Sequence, residues 1–211
     1  MNSRTFSRIG IFVLLGLVMA ATRSHHFSPL ANATWGPLPD ASWAVFFVAG
    51  YYLRDWMRWA FPLLMALAVV VDYFVISGLG LDFWSHYCVS AAYWFLLPAY
   101  FVLWMGGARL AAHGAGQRWR DSGKLATSLL IAVSLSYVIS NGSYYWLSDT
   151  WLATSADGRS FVGWMDNLAD WYLPYLRIAA LYVGVATVLH IAAVKVFGSL
   201  HVTADSSLRT K

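Results

Sequence analysis

Apolar residues gather in long blocks, at about 9 to 21, 41 to 53, 59 to 79, 88 to 106, 124 to 147 and 171 to 198, each bounded by charge, proline or glycine. A hydrocarbon core needs roughly 20 consecutive apolar residues of helix. The blocks therefore predict an all-α membrane protein with six transmembrane helices in one integral domain, residues 1–211. The first two blocks are short, but flanking Arg8, Arg23 and Arg54 can snorkel while the helices extend beyond the apolar run. Arg4 and Arg8 before the run from Ile9 to Ala21 also fit a secretory signal peptide. The expectation adopted is a retained first helix.

Composition strengthens this picture. The chain is 59% hydrophobic and 11% charged, against roughly 25% charged in soluble domains. All ten acidic residues are Asp, and most basic residues stand at the ends of apolar blocks. The net charge of +4 thus speaks to topology and not to nucleic-acid binding. Lys and Arg in alternate connecting segments number eleven on one side (Arg4, Arg8, Arg54, Arg58, Arg109, Arg118, Arg120, Lys124, Lys195, Arg209, Lys211) and two on the other (Arg23, Arg159). With Arg177 set aside inside the sixth block, the positive-inside rule predicts cytoplasmic termini. Segments 22–40, 80–87 and 148–170 become outer loops. Eight of the twelve tryptophans, Trp43 and Trp94 among them, fall in or near the outer half.

Candidate chemistry is sparse. Cys88 is the single cysteine, which excludes an internal disulfide, a CxxC pair and a cysteine-built zinc site. It stands at the predicted outer start of the fourth helix, where free backbone N–H groups favour a thiolate. A thiolate is a soft ligand, suited to a soft or borderline metal. The alternative is a small buried apolar residue. Asp72 and Arg177 are the charges deepest in apolar surroundings. Counting 1.5 Å per residue puts both about 7 to 10 Å below the outer boundary, so they either pair or line one outward pocket. His86 beside Cys88, with His25 and His26, is a weak metal constellation whose alternative is solvated loop histidines; His190 reads as a packing residue. Tyr87, Tyr93, Trp94, Tyr144, Tyr145 and Trp146 suggest an outer cavity able to stack a flat ligand. Interface anchoring explains part of that excess. Gly16 and Ala20, four apart in the first helix, permit close helix approach.

Three stretches, Ala21-Thr22-Arg23-Ser24-His25-His26-Phe27, Leu38-Pro39-Asp40-Ala41-Ser42-Trp43-Ala44-Val45-Phe46-Phe47-Val48-Ala49-Gly50 and Tyr87-Cys88-Val89-Ser90-Ala91-Ala92-Tyr93, resemble the six-helix substrate-binding S-components of energy-coupling-factor (ECF) transporters, and within them the BtuM cobalamin (vitamin B12) transporters. The resemblance spans nearly the whole chain. It implies an S-component-like bundle in the bacterial inner membrane that binds cobalamin from the periplasmic side, with Cys88 as ligand to cobalt below the corrin. It also implies cysteine-assisted decyanation of cyanocobalamin, the one catalytic role considered. Tyr87, Tyr93, Asp72, Arg177, Trp43 and His86 are the further pocket candidates. The small-residue face with Gly16 and Ala20 would meet a membrane-coupling subunit, though the family's form is alanine-based and this chain departs from it. No GxxxxGK[ST] loop occurs, so energy would come from ATPase partner subunits or a gradient. Two rival expectations stand beside this one: an S-component for another vitamin with Cys88 incidental, and a haem or redox membrane protein using His25, His26 or His86.

Overall fold

Backbone polar groups in a hydrocarbon environment have no water to bond, and a helix satisfies them internally. The chain follows that rule. The computed structural model describes residues 3–25, 38–86, 89–114, 119–148 and 158–209. Among them no strand occurs; the elements are α1 (Ser3–His25), α2 (Ser42–Leu53), α3 (Met57–Gly78), α4 (Leu96–Ala112), α5 (Ser122–Leu147) and α6 (Phe161–Arg209), with 3₁₀ turns at Arg54–Trp56, Ala91–Phe95 and Trp119–Asp121. Five helical segments of the described residues are long and apolar enough to cross a membrane: Thr5–Arg23, Ser42–Gly78, Ala91–Ala112, Ser122–Leu147 and Phe161–Lys195.

The second segment holds both α2 and α3, and the chain reverses between them. Phe46 and Phe61 meet edge to face with ring centroids 5.5 Å apart. A straight helix would separate them by about 22 Å. The reversal at Arg54–Trp56 is tied down by Arg8 of α1, which bonds Asp55 and lies over the Trp56 ring. At 12 residues α2 is about 18 Å long. Its position explains why so short a helix is stable, for α2 touches α1, α3, α4 and α6, and nine of its twelve residues are buried. A helix apolar all round belongs in an interior.

Helix association in lipid relies on close packing, because lipid tails are as apolar as leucine. Here α2 and α4 approach until their backbones touch. A Cβ at Gly107 would stand 1.9 Å from the Phe47 carbonyl oxygen, and one at Gly50 would stand 2.0 Å from that of Trp104. Around this contact pack Phe47, Leu103 and the fully buried Trp104. Phe46 stacks on Tyr100 at 4.4 Å, and Phe61 sets its edge against Trp104.

Several predicted boundaries move. The fourth apolar block was expected to be helical from 88; its 3₁₀ turn begins at Ala91 and the α-helix at Leu96. Cys88, expected at the start of that helix, lies outside the described residues. In the last block, helix begins at Phe161, ten residues before the expected 171, so part of the predicted 148–170 loop is helical.

Candidate functional site

The most elaborate polar structure lies at the end of the bundle where α1 finishes, α2 begins and α3 finishes. It is built around Arg23 in the last turn of α1. Thr22 beside it donates to the Val18 carbonyl at 2.8 Å and accepts from the Ala41 amide at 3.1 Å, locking that turn to the entry of α2. Asp40, one residue before the N-cap Ala41, ties down the same entry, accepting from the Ser42 amide at 2.9 Å and the Ser42 hydroxyl at 2.6 Å. Asp ahead of a helix N-terminus is favoured because it satisfies a free amide and meets the positive end of the dipole.

These contacts present the Arg23 guanidinium to α3. Its Nε and Nη2 donate to the two carboxylate oxygens of Asp72 at 2.6 and 2.7 Å, a bidentate fork of the strong kind. Nη1 reaches Asp40 at 3.2 Å, Ser42 Oγ at 3.1 Å and Tyr100 Oη at 3.1 Å. Tyr93, in the 3₁₀ turn before α4, donates its hydroxyl to Asp72 at 2.7 Å. Both charges are deeply buried, Arg23 at 8% and Asp72 at 3% exposed. One carboxylate thus joins α1, α3 and the segment leading into α4.

Aromatic side chains surround this end in two groups. Phe83 packs edge-on to Tyr73, Trp84 and Tyr93, with centroids 5.5, 5.2 and 6.4 Å away. The second group joins Tyr145, Trp146, Trp164 and Phe161. Trp84 and Trp94 are each 74% exposed, as interface anchors are.

The predicted site residues are distributed unevenly. Asp72 and Tyr93 come together, the Tyr93 hydroxyl donating to the Asp72 carboxylate. Arg177 is exposed on α6, and the guanidinium that Asp72 binds is that of Arg23 instead. Trp43 is buried against Tyr137 and Tyr175. His86 is half-buried in the turn after α3, its amide donating to Phe83 and its carbonyl accepting from Val89. Gly16 is buried against Leu67 of α3, where a Cβ would stand 3.2 Å from that side chain, while Ala20 is half-buried. His190 bonds Tyr52 at 2.7 Å. Tyr87, Cys88 and His26 lie outside the described residues, as does the side chain of His25. Among the described residues no three His, Cys or Asp groups gather as a metal site.

Sequence reasoning placed Arg23 at the interface and overlooked Asp40 and Tyr100. The available signal was Pro39-Asp40-Ala41-Ser42, a helix-start pattern next to an arginine that ends the preceding apolar block.

Fold and site define a class: an all-helical chain with five segments long and apolar enough to cross a membrane and a buried ionic network at one end. Compared with known proteins, the chain matches no protein-family model and no curated sequence.

Proposed function

We propose that the chain is a cobalamin uptake protein of the bacterial inner membrane, S-component-like, with six crossings and cytoplasmic termini, which takes the corrinoid from the periplasmic side through a Cys88–cobalt bond. The observation that carries the reading is the hydrogen bond from Tyr93 to Asp72 within the Arg23 network. It anchors the segment that begins just after Cys88 to the buried end of the bundle. A ligand held by a thiolate needs such an anchored base, because mispositioning of about 1 Å is costly in a preorganised site.

In this reading the protein supplies the thiolate and the orientation, and the corrin supplies the cobalt chemistry. The Cys88 thiolate would replace the nucleotide base as the lower ligand to cobalt, the base leaving with its own electron pair, and as a stronger donor would weaken the cobalt–carbon bond to cyanide above. That bond breaks heterolytically, its electron pair leaves with cyanide, and cobalt keeps its oxidation state. Energy for release to the cytoplasm comes from coupling subunits or a gradient.

The test is visible absorption of the purified protein mixed with cyanocobalamin and with hydroxocobalamin. The expected result is a shifted spectrum typical of cobalt–thiolate ligation, absent in Cys88→Ala, with affinity reduced at least about ten-fold. A Cys88→Ala protein that binds with an unchanged spectrum removes the ligand assignment. Growth rescue of a cobalamin auxotroph lacking its own uptake system is expected from the intact chain. Binding of riboflavin, thiamine or a biotin precursor in place of cobalamin would reassign the substrate.

A further inference from the structure

The opposite end of the bundle carries a different feature. Between α4 and α5 lies an outward-opening groove of about 1000 Å³. Its floor is a close contact of small residues: Ser128 Oγ donates to the Gly106 carbonyl at 3.0 Å, and a Cβ on Gly106 would stand 2.7 Å from that of Ala132. Where small residues let two backbones touch, the larger side chains on either side leave a cleft.

The lining changes character along its length. On α4 the lining positions Phe101, Met105 and Arg109 are four residues apart, so one stripe passes from apolar to cationic over about 12 Å. The stripe on α5 reads the same way, from Leu135 and Ile131 to Lys124, with Arg120 beyond it. Arg109, Arg120 and Lys124 are exposed, and among the described residues none of the three has an ion-pair partner. Between Asp82 and Asp149 the only carboxylate is Asp121, which does not line the groove.

We propose that this groove binds one anionic phospholipid, its phosphate held by Arg109, Arg120 and Lys124 and its acyl chains laid along the Phe101–Met105 and Ile131–Leu135 walls. Charge complementarity and the order of the stripes select this occupant. The apolar half lies towards the middle of both spans, where chains are, and the cations stand at the helix ends, where headgroups are. A soluble anion would leave the apolar half bare. The inference stands independently of the substrate bound at the Arg23 end.

Native mass spectrometry of the full chain, exchanged from detergent into mixed phosphatidylglycerol and phosphatidylcholine, tests it. The expected result is one retained phosphatidylglycerol, favoured at least about ten-fold over phosphatidylcholine. Each neutralised cation should weaken retention about five-fold, so Arg109→Gln/Arg120→Gln/Lys124→Gln should abolish the preference. Arg54→Gln/Arg58→Gln/Lys195→Gln removes the same charge outside the groove and should keep it. Ile131→Trp keeps all three cations and fills the apolar wall; it too should lose the lipid, which keeps the proposal testable if the triple variant does not fold. Equal retention of the two lipids, retention unchanged in the groove variants, or displacement by inorganic phosphate at matched concentration would overturn the proposal.

Discussion

Gly107→Ala is expected to lower the melting temperature of the detergent-solubilised protein by on the order of 10 °C and to cut its monodisperse yield. The added Cβ would lie 1.9 Å from the Phe47 carbonyl oxygen and 2.9 Å from the Tyr51 amide nitrogen, both of them backbone atoms. No rotamer change relieves such a contact; α2 and α4 must separate. Separation loses the contacts of Phe47 and the fully buried Trp104 and Leu103. Overpacking a core usually costs up to about 3 kcal/mol, and more where backbone obstructs, which in a chain of this length corresponds to that shift. Gly50→Ala, facing the Trp104 carbonyl, should act alike. Gly184→Ala is the control, since nothing lies within 4 Å of a Cβ there. It removes a helix-interior glycine and should be neutral or stabilise by up to about 1 kcal/mol. Intrinsic fluorescence follows all three, and a Gly107→Ala protein melting with the wild type would show that α2 and α4 do not pack through their backbones.

That contact marks where the sequence was readable and where it was not. Helix locations were legible because lipid solvation makes hydrophobicity a length signal; the block at 124–147 became Ser122–Leu147 and that at 59–79 became Met57–Gly78. The start of the last helix was missed because Asp166, Asn167 and Asp170 look like loop residues. Asn167 is instead turned to α5, accepting from Asn141 at 2.6 Å, and the neighbouring Leu168 carbonyl accepts from Tyr137 at 3.1 Å, while Asp166 and Asp170 are exposed. Helix pairing was harder still. Gly16 and Ala20 drew attention through their spacing, yet the closest backbone approach uses Gly50 and Gly107, whose relation across 57 positions leaves no periodic trace. A charge pair has the same difficulty. Depth counting matched Asp72 with Arg177, but depth says nothing about azimuth, and Arg23 on α1 has the facing position.

The Arg23–Asp72 pair yields the second large expectation, a loss of about 3 to 5 kcal/mol in Asp72→Ala. The size follows from what is left behind. Without Asp72 the guanidinium keeps Ser42, Tyr100 and a longer contact to Asp40, but its Nε and Nη2 lose their recorded acceptors. Tyr93 loses its acceptor as well. The double variant Arg23→Met/Asp72→Leu removes both charges and should recover most of the stability, because buried ion pairs often exchange for apolar residues at little net cost. Thermal melts of the single and double variants therefore separate an unpaired charge from lost packing; a single variant within about 1 °C of wild type would discard the bridge as a stabilising element. The double variant also isolates function. It restores the bundle but leaves Tyr93 without the carboxylate that anchors it, so, on the function proposed above, corrinoid affinity should fall at least several-fold while stability is near wild type. Tyr93→Phe, which loses only that hydroxyl, should reproduce the affinity loss with the ion pair intact. Full corrinoid affinity in both would mean that the network holds the helices together without positioning the segment after Cys88.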